Sequence, residues 1–318
     1  MKLVTIDATP GGIAGALLES GEILHLGRAA APGTIETWLP ASVRGILQAG
    51  PEGLETVRRL VRRVEDLGAG ERERLRHSGA LTRAQATPLL APVPDPRLIL
   101  AAGRAYGAHV REMGGGPPPH PTAFLKSPDS VAGPGAIIPI PAGIEQVDYE
   151  GELAVVFGRA CHRVQPTQAL DHVAGYMAAN DVSARDWMPG VQAARTPVEG
   201  RQSWELNIMG KQFPGFTSMG PVLATSDEVG DPSSLQLVTR LNGRVMQSTS
   251  VGDLIHPIAE TIAYFSQWYR FQPGDVLLTG TPAGVGFGRD PQVFMRPGDR
   301  VDVEIGGIGI LSNDIAAA

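Results

Sequence analysis

The chain is poor in cysteine and has no long apolar run. Cys161 is the single cysteine among 318 residues, so an internal disulfide is impossible, which suits a reducing compartment. No uninterrupted apolar stretch is as long as the roughly 18 residues of a membrane-spanning helix. The segment Met1–Asp7 lacks the longer apolar run of a signal peptide. We therefore expect a cytoplasmic protein with no membrane partner.

Positive charge is not in excess either. The formal net charge is -6, so nucleic acid is not an expected partner. The 40 glycines and 27 prolines, by contrast, are numerous and are spread through turns between apolar runs. This distribution favours many short strands over long helices, so we expect an α+β protein that is mainly β.

The length of the chain allows two domains. The N-terminal pattern predicts strands at Lys2–Asp7, Ile13–Glu19 and Ile23–Leu26, and helices at Ile35–Gln48 and Leu54–Leu67. Prolines between residues 88 and 96 then mark a linker. We therefore predict a small α/β domain over residues 1–92 and a second domain over residues 93–318.

The second domain begins with an apolar strand at Leu98–Ala102. Apolar spacing predicts helices at Pro166–Ala179 and Asp253–Phe271, the latter with Trp268 on its buried side. Met188–Trp204 reads as a long irregular loop. Asn242-Gly243 predicts a tight hairpin between Leu235–Leu241 and Arg244–Ser248.

Acidic residues alternate along the strand pattern of Val147–Gly158. Glu150 and Glu152 point the same way, roughly 6–7 Å apart at about 3.3 Å per residue. Such like charges repel unless water or a cation intervenes, and Mg²⁺ or Ca²⁺ would remove the conflict. The alternative is a strand with a solvated acidic face. Asp181 could be a third ligand or only a turn residue.

A second candidate pair is His109 and Glu112, which a helix places on the same side. A histidine beside a carboxylate can activate water as a general base. Three glycines and three prolines follow at 114–119, so the helix could act as a lid on a flexible joint. The alternative is an exposed helix with a fortuitous pair.

The glycine-rich segment Thr279–Gly286 is a third candidate. Its backbone N–H groups and the Thr281 hydroxyl could bind a carboxylate, or the segment could be only a tight turn. No dinucleotide fingerprint is present, because no helix and no βαβ pattern follow.

Together these segments resemble the fumarylacetoacetate hydrolase family. They occur in the family's order and cover Ile99 to the C-terminus. The matching segments are Gly103-Arg104-x-Tyr106-x-x-His109-x-x-Glu112, Phe124-x-Lys126, Asp148-Tyr149-Glu150-x-Glu152-Leu153, Asn180-Asp181-Val182-Ser183-Ala184-Arg185-Asp186, Gly210-Lys211-x-Phe213, Gly220-Pro221 and Thr279-Gly280-Thr281-Pro282-Ala283-Gly284-Val285-Gly286.

The resemblance implies a catalytic domain of β-sheets wrapped into a mixed sandwich or roll, usually in a homodimer. It implies a Mg²⁺, Mn²⁺ or Ca²⁺ ion on Glu150, Glu152 and Asp181. It implies that His109, Glu112 and Lys211 are catalytic. The substrate-binding residues that follow from the match are Tyr106, Lys126, Arg185, Gly280 and Thr281, although Arg185 could instead pair with a neighbouring acid.

The activity that the resemblance implies is hydrolysis of a C–C bond in a small 1,3-dicarbonyl acid, such as an acylpyruvate. Decarboxylation of oxaloacetate, or isomerisation or hydration of an unsaturated keto acid, needs the same metal and enolate chemistry. A third alternative is a non-catalytic metal- or ligand-binding protein.

Met188 is a departure from the family pattern, because similar hydrolases usually carry glutamine there. Methionine cannot donate an amide hydrogen bond. Either the substrate differs, or a residue such as Gln192 or Gln202 takes the place of this glutamine.

Overall fold

The computed structural model describes residues 1–30 and 35–318. The strands in these ranges are β1 (Lys2–Ile6), β2 (Ile13–Leu17), β3 (Glu22–His25), β4 (Leu81–Arg83), β5 (Leu89–Leu90), β6 (Ile99–Gly103), β7 (Thr122–Lys126), β8 (Val131–Ala132), β9 (Ile137–Ile140), β10 (Val147–Asp148), β11 (Gly151–Phe157), β12 (Val173–Asp181), β13 (Ser183–Ala184), β14 (Thr217–Thr225), β15 (Gln236–Leu241), β16 (Arg244–Ser250), β17 (Val276–Leu278), β18 (Arg300–Ile305) and β19 (Gly309–Ala317). The α-helices are α1 (Leu26–Ala29), α2 (Val43–Gln48), α3 (Pro51–Glu65), α4 (Ala69–His77), α5 (Gly107–Glu112), α6 (Pro166–Ala169), α7 (Met188–Ala193), α8 (Pro197–Met209), α9 (Ser226–Val229) and α10 (Ile258–Phe265).

One large sheet joins the N-terminal strands to the strands of the later chain. In the described ranges its path is β4-β3-β2-β1-β14-β12-β11-β17-β6-β7, with β5 beside β1 and β8 beside β14. Leu3 of β1 pairs with Leu223 of β14 where the two parts meet. The N-terminal segment therefore extends the same sheet, and the division at residues 92 and 93 stays a prediction.

The large sheet lies between two other layers. A second sheet, with the order β16-β15-β18-β19-β9, covers one face, where Val155 of β11 shares a buried cluster with Val303 of β18. Helices α2 and α3 cover the other face, where Val156 shares a cluster with Leu60. Strand β11 is thus buried on both faces. This strand-dominated α+β sandwich confirms the predicted fold class.

Local sequence signals explain several elements. Helix α3 begins with Pro51 at its first position and carries Arg62 and Arg63 in its last turn, which suits the helix dipole. In the β15–β16 hairpin Leu241 pairs directly with Arg244, which leaves a two-residue turn. Both turn residues have positive φ, as this kind of turn requires, so the predicted Asn-Gly hairpin is confirmed.

The helix predicted over Pro166–Ala179 is wrong. The α-helix covers only Pro166–Ala169, a 3₁₀ turn follows at Leu170–His172, and the rest is strand β12. Every residue of β12 is buried, because β11 and β14 pair with its edges and other layers cover its faces. A strand that is apolar on both faces shows no alternation, so its period cannot be told from a buried helix.

Two further element predictions also need correction. Met188–Trp204 is not irregular, because it contains α7 and most of α8, which begins with a capping box between Thr196 and Glu199. The helix predicted over Asp253–Phe271 is restricted to α10, which starts after Pro257. Trp268 lies beyond the end of α10 and is 63% exposed, so its predicted burial is wrong.

The predicted helix at Ile35–Gln48 is divided by Pro40. A 3₁₀ turn covers Ile35–Trp38, and α2 begins only at Val43, capped by Ser42. In the ranges that the structure covers, no helix has the length and apolarity to cross a membrane.

Candidate metal centre and active-site cavity

Three carboxylates meet where β11 begins and the antiparallel strand β12 ends. Glu152 pairs with Ala179 across the two strands, and the Asp181 N–H donates to the Glu150 carbonyl at 2.9 Å. One oxygen of each of the three acids lies within 4.8 Å of the others. Their exposed fractions are only 5% for Glu150 and 1% for Glu152 and Asp181, so the solvated-face alternative is wrong.

Two buried lysines neutralise part of this charge. The Lys211 Nζ donates to Glu150 Oε2 and Asp181 Oδ2, each at 2.7 Å, and to Ser183 Oγ at 2.6 Å. Its three N–H groups are therefore all engaged. Lys126 donates to the other Asp181 oxygen. The lysines hold Asp181 from both sides and fix its orientation.

A third cation, Arg185, bridges Glu150 and Asp148, the last residue of β10. Its guanidinium donates to Glu150 and, through Nε, to Asp148 Oδ2 at 3.1 Å. Asp148 is fully buried and also accepts from the backbone of Gly286 and Phe287. The sequence left open whether Arg185 binds substrate or an acid, and the structure shows the pairing with two acids.

The pKa values of the two glutamates move in opposite directions. Burial alone would raise the pKa of Glu150, but Lys211 and Arg185 lower it to about 2. Burial, and then the charges of Asp181 and Glu150, raise the pKa of Glu152 well above its ordinary range. Glu152 thus carries like-charge repulsion that the side-chain cations do not offset. A hard divalent cation would relieve it, so this oxygen donor set fits Mg²⁺, Mn²⁺ or Ca²⁺.

The glycine-rich loop binds the protein's own carboxylates. Gly280 and Gly284 have φ values of 90° and 101°, which side-chain-bearing residues rarely adopt. The backbone donations are Gly280 N–H to Glu152 Oε2 at 2.7 Å, Gly284 N–H to Glu112 Oε1 at 2.9 Å and Gly286 N–H to Asp148 Oδ1 at 2.6 Å. The structure therefore gives Gly280 a protein partner in place of the expected substrate carboxylate.

Gln247 orients the Thr281 hydroxyl, and sequence reasoning missed it. Its Nε2 donates to Thr281 Oγ1 at 2.8 Å, and its Oε1 accepts from the Gly151 N–H at 3.0 Å. Thr281 in turn donates to the Gly151 carbonyl at 3.1 Å. The burial of Gln247 could not be predicted from alternation along β16. A bulge in the pairing of β16 with β15 places two consecutive residues, Met246 and Gln247, in the interior.

His109 and Glu112 form the predicted pair. His109 Nδ1 lies 3.1 Å from Glu112 Oε2, and Gly284 fixes the other Glu112 oxygen. His109 is only 9% exposed, which excludes the alternative of a fortuitous pair on an exposed helix. With Nδ1 bound to Glu112, Nε2 is the ring nitrogen that can exchange a proton with a ligand.

A cavity of about 490 Å³ opens beside the acid cluster. Its volume suits a small organic ligand. The polar side chains in its lining are Arg104, His109, Thr122, Glu150, Arg185, Asn207, Lys211 and Thr281. The larger apolar side chains in its lining are Val110, Met113, Phe124, Met188, Val191, Trp204 and Ile208. Glu150, His109 and Lys211 therefore face one space, with Glu152, Asp181 and Glu112 behind its wall.

Three predicted substrate-binding residues, Tyr106, Lys126 and Gly280, lie outside this lining. Lys126 is 3% exposed and is engaged by Asp181 and the Phe216 carbonyl. Tyr106 lines a separate cavity of about 410 Å³, and burial raises the pKa of its hydroxyl. That hydroxyl has no hydrogen-bond partner in the part of the chain described.

Position 188 brings an apolar side chain to the cavity, as the sequence indicated. Met188 is 5% exposed and lies in the wall. Of the two glutamines proposed in compensation, the side chain of Gln192 lies outside the described residues. Gln202 is exposed on α8 and is not part of the cavity lining.

Comparisons with known proteins agree with this fold and site. Residues 98–316 match the family described as fumarylacetoacetate (FAA) hydrolase C-terminal. A relative in Bos taurus, the mitochondrial oxaloacetate tautomerase FAHD2A, is 37% identical over 280 residues, which cover 88% of this chain and 81% of the relative. The chain therefore belongs to the fumarylacetoacetate hydrolase family of enzymes.

Two solved structures extend over the whole chain. The fumarylacetoacetate hydrolase from Exiguobacterium antarcticum has a TM-score of 0.75 and 29% identity, with 100% of each chain covered. The maleylpyruvate hydrolase from Sphingobium sp. SYK-6 has a TM-score of 0.70 and 26% identity, also with 100% of each chain covered. That second structure contains manganese(II) and pyruvate.

Proposed function

We propose that this enzyme interconverts the keto and enol forms of a small 2-oxo dicarboxylic acid of the oxaloacetate type, with the help of a divalent cation. The observation that carries the proposal is the cavity that His109, a base oriented by a carboxylate, shares with Glu150 of the acid cluster, and whose wall includes the apolar Met188. The similarity to an oxaloacetate tautomerase over 88% of the chain supports it.

His109 transfers the proton in this reaction. Glu112 holds Nδ1, so Nε2 removes a proton from C3 of the keto acid and returns it to the oxygen of the resulting enolate. No bond between heavy atoms breaks and no water is consumed. A divalent cation bound by Glu150, Glu152 and Asp181 would supply Lewis-acid polarisation of the keto-acid oxygens.

Positive side chains compensate the charge of the acid substrate. Lys211 contributes its charge rather than a free N–H, because Glu150, Asp181 and Ser183 occupy its three donors. In the described part of the chain, Arg104 is a cavity-lining cation without an acidic partner, and its Nη2 donates only to the Gly116 carbonyl. Arg104 is therefore suited to a second substrate carboxylate.

Hydrolysis of a C–C bond is the second candidate. The oriented His109–Glu112 pair could activate water, and the similarity to maleylpyruvate hydrolase favours this reaction. Hydrolysis also needs polar groups that hold the attacking water, whereas Met188 gives the wall an apolar surface. We therefore rank keto–enol interconversion first.

Product analysis tests the proposal. Protein loaded with Mg²⁺ or Mn²⁺ is mixed with the enol form of oxaloacetate, and its ultraviolet absorbance, CO₂ release and organic acids are followed. We expect faster loss of the enol without CO₂, and a loss of this acceleration in His109→Asn. Release of CO₂ would indicate a decarboxylase, and cleavage of acetylpyruvate or fumarylpyruvate into two acids would indicate a hydrolase.

The proposal also covers the substrate class and the oligomeric state. The substrate is a small keto acid. The active form is a homodimer, which sedimentation at several protein concentrations would test. Exposed apolar side chains on α8, such as Trp204 and Met209, support an interface of this kind.

A further inference from the structure

Helix α8 has an inverted distribution of polar and apolar side chains. Val198, Trp204, Leu206 and Met209 are all at least two-fifths exposed. Asn207, by contrast, is 2% exposed and is the only buried residue of this helix, all of which lies in the described ranges. A helix that packs against a protein normally buries its apolar side, so the burial of this polar residue needs an explanation.

The amide oxygen of Asn207 has no partner in the described part of the protein. This oxygen, Oδ1, is buried. An unpaired buried acceptor destabilises the folded state, and such groups are uncommon in folded proteins. Asn313 shows the ordinary case, because it is equally buried and its Nδ2 donates to the carbonyls of Gly133 and Ala136.

The position of Asn207 indicates what its partner is. It lines the 490 Å³ cavity together with His109, Lys211 and Met188. Lys211 can only donate, and its donors are already engaged within the protein. Asn207 is therefore an uncharged amide in the same cavity wall as the apolar Met188.

We propose that Asn207 is a specificity-determining residue that binds the substrate oxygen which alternates between keto and enol. In the orientation that the structure shows, Oδ1 is buried, and we assign Nδ2 as the donor to the keto oxygen; a 180° turn of the amide brings Oδ1 to the enol hydroxyl as an acceptor. One side chain thus serves both forms without a change of charge. This inference rests on the proposed function for the identity of the substrate.

The test is the combination of stability and ligand affinity in Asn207→Leu. Removing an unsatisfied buried amide in favour of an apolar side chain of similar shape leaves the melting temperature unchanged or higher. Loss of one hydrogen bond weakens pyruvate binding by roughly 3- to 10-fold, measured by calorimetry on protein loaded with Mg²⁺ or Mn²⁺. Asn207→Asp, which adds a negative charge, weakens it at least as much.

Asn313→Leu is the matched control. It removes two hydrogen bonds of a buried side chain that is not in the cavity lining, so it lowers the melting temperature and leaves the affinity for pyruvate unchanged. Normal pyruvate affinity in Asn207→Leu, or a loss of stability like that of Asn313→Leu, would overturn the proposal.

The same samples separate this inference from the proposed function. Wild-type protein that binds pyruvate but does not accelerate the loss of enol oxaloacetate contradicts the proposed function, while the affinity of Asn207→Leu still decides the role of Asn207. Wild-type protein that binds neither pyruvate nor oxaloacetate contradicts both.

Discussion

Replacing Glu152 with glutamine should separate metal binding from the stability of the metal-free protein. Glu152 is buried beside Asp181 and Glu150, whose charges together with burial raise its pKa. Glutamine has the same shape, cannot ionise and can still accept a hydrogen bond from the Gly280 N–H. We therefore expect the metal-free variant to melt at the wild-type temperature or above it.

In contrast, the rise in melting temperature that a bound cation causes should be smaller in Glu152→Gln than in the wild-type protein. A cation at about 100 times its Kd stabilises the folded protein by about 2.7 kcal/mol. At about 2 °C per kcal/mol for a chain of this size, the wild-type melting temperature rises by roughly 5 °C. Loss of a carboxylate ligand should weaken binding by more than the 10- to 100-fold typical of residues that only support a ligand. The rise then disappears at the same cation concentration.

Thermal melts across a titration of Mg²⁺ and of Mn²⁺ measure both effects. Glu145→Gln is the control, because Glu145 is exposed and precedes the acid cluster in the chain. It removes the same charge and should keep the full wild-type shift. A wild-type shift in Glu152→Gln would remove Glu152 from the ligand set, and a large loss of metal-free stability would refute the repulsion argument.

Three further predictions concern Cys161, His25 and Arg104. Burial raises the pKa of the Cys161 thiol to about 11, so thiol reagents should modify the native protein far more slowly than the unfolded protein; equal rates would contradict this. Burial, and then Arg28, lower the pKa of His25. Its contribution to stability is therefore present above the unfolded pKa of about 6.5 and is lost as the pH falls. By chemical denaturation, His25→Gln should lose less unfolding free energy than wild type between about pH 7.5 and about pH 5.5, and an equal loss would contradict this. Arg104→Gln should raise the KM for oxaloacetate by roughly 10- to 100-fold with little change in kcat, whereas Arg111→Gln, on the exposed side of α5, should not; equal effects would exclude Arg104 as a carboxylate ligand.

The fold was predictable where apolar residues recur with a regular period or where turn-forming residues stand between two strands. The hairpin at Asn242-Gly243 and the helix around Leu60 carry local signals that tertiary structure does not override. Strand β12 was not predictable, because its burial depends on neighbours that are distant in the chain. Trp268 follows the helical spacing, but the chain leaves the helix at Ser266, so the spacing no longer applies.

The candidate site was predictable in its residue types but not in its pairings. Glu150 and Glu152 share a strand face, so their proximity follows from the sequence alone. The contact of Lys126 with Asp181 joins residues that are 55 positions apart, and no local pattern indicates it. Asn207 was missed because a single asparagine in a helix normally faces solvent, and only the cavity shows otherwise.

Proton NMR in D₂O would show directly whether the enzyme exchanges the C3 protons of a keto acid. Metal-loaded protein is given oxaloacetate in one tube and acetylpyruvate in another, beside protein-free controls. We expect faster deuterium incorporation at C3 of oxaloacetate, abolished by His109→Asn, with no acetate or pyruvate formed above the control rate. Rapid formation of acetate and pyruvate from acetylpyruvate, without faster exchange at C3 of oxaloacetate, would refute keto–enol interconversion and establish C–C bond hydrolysis instead.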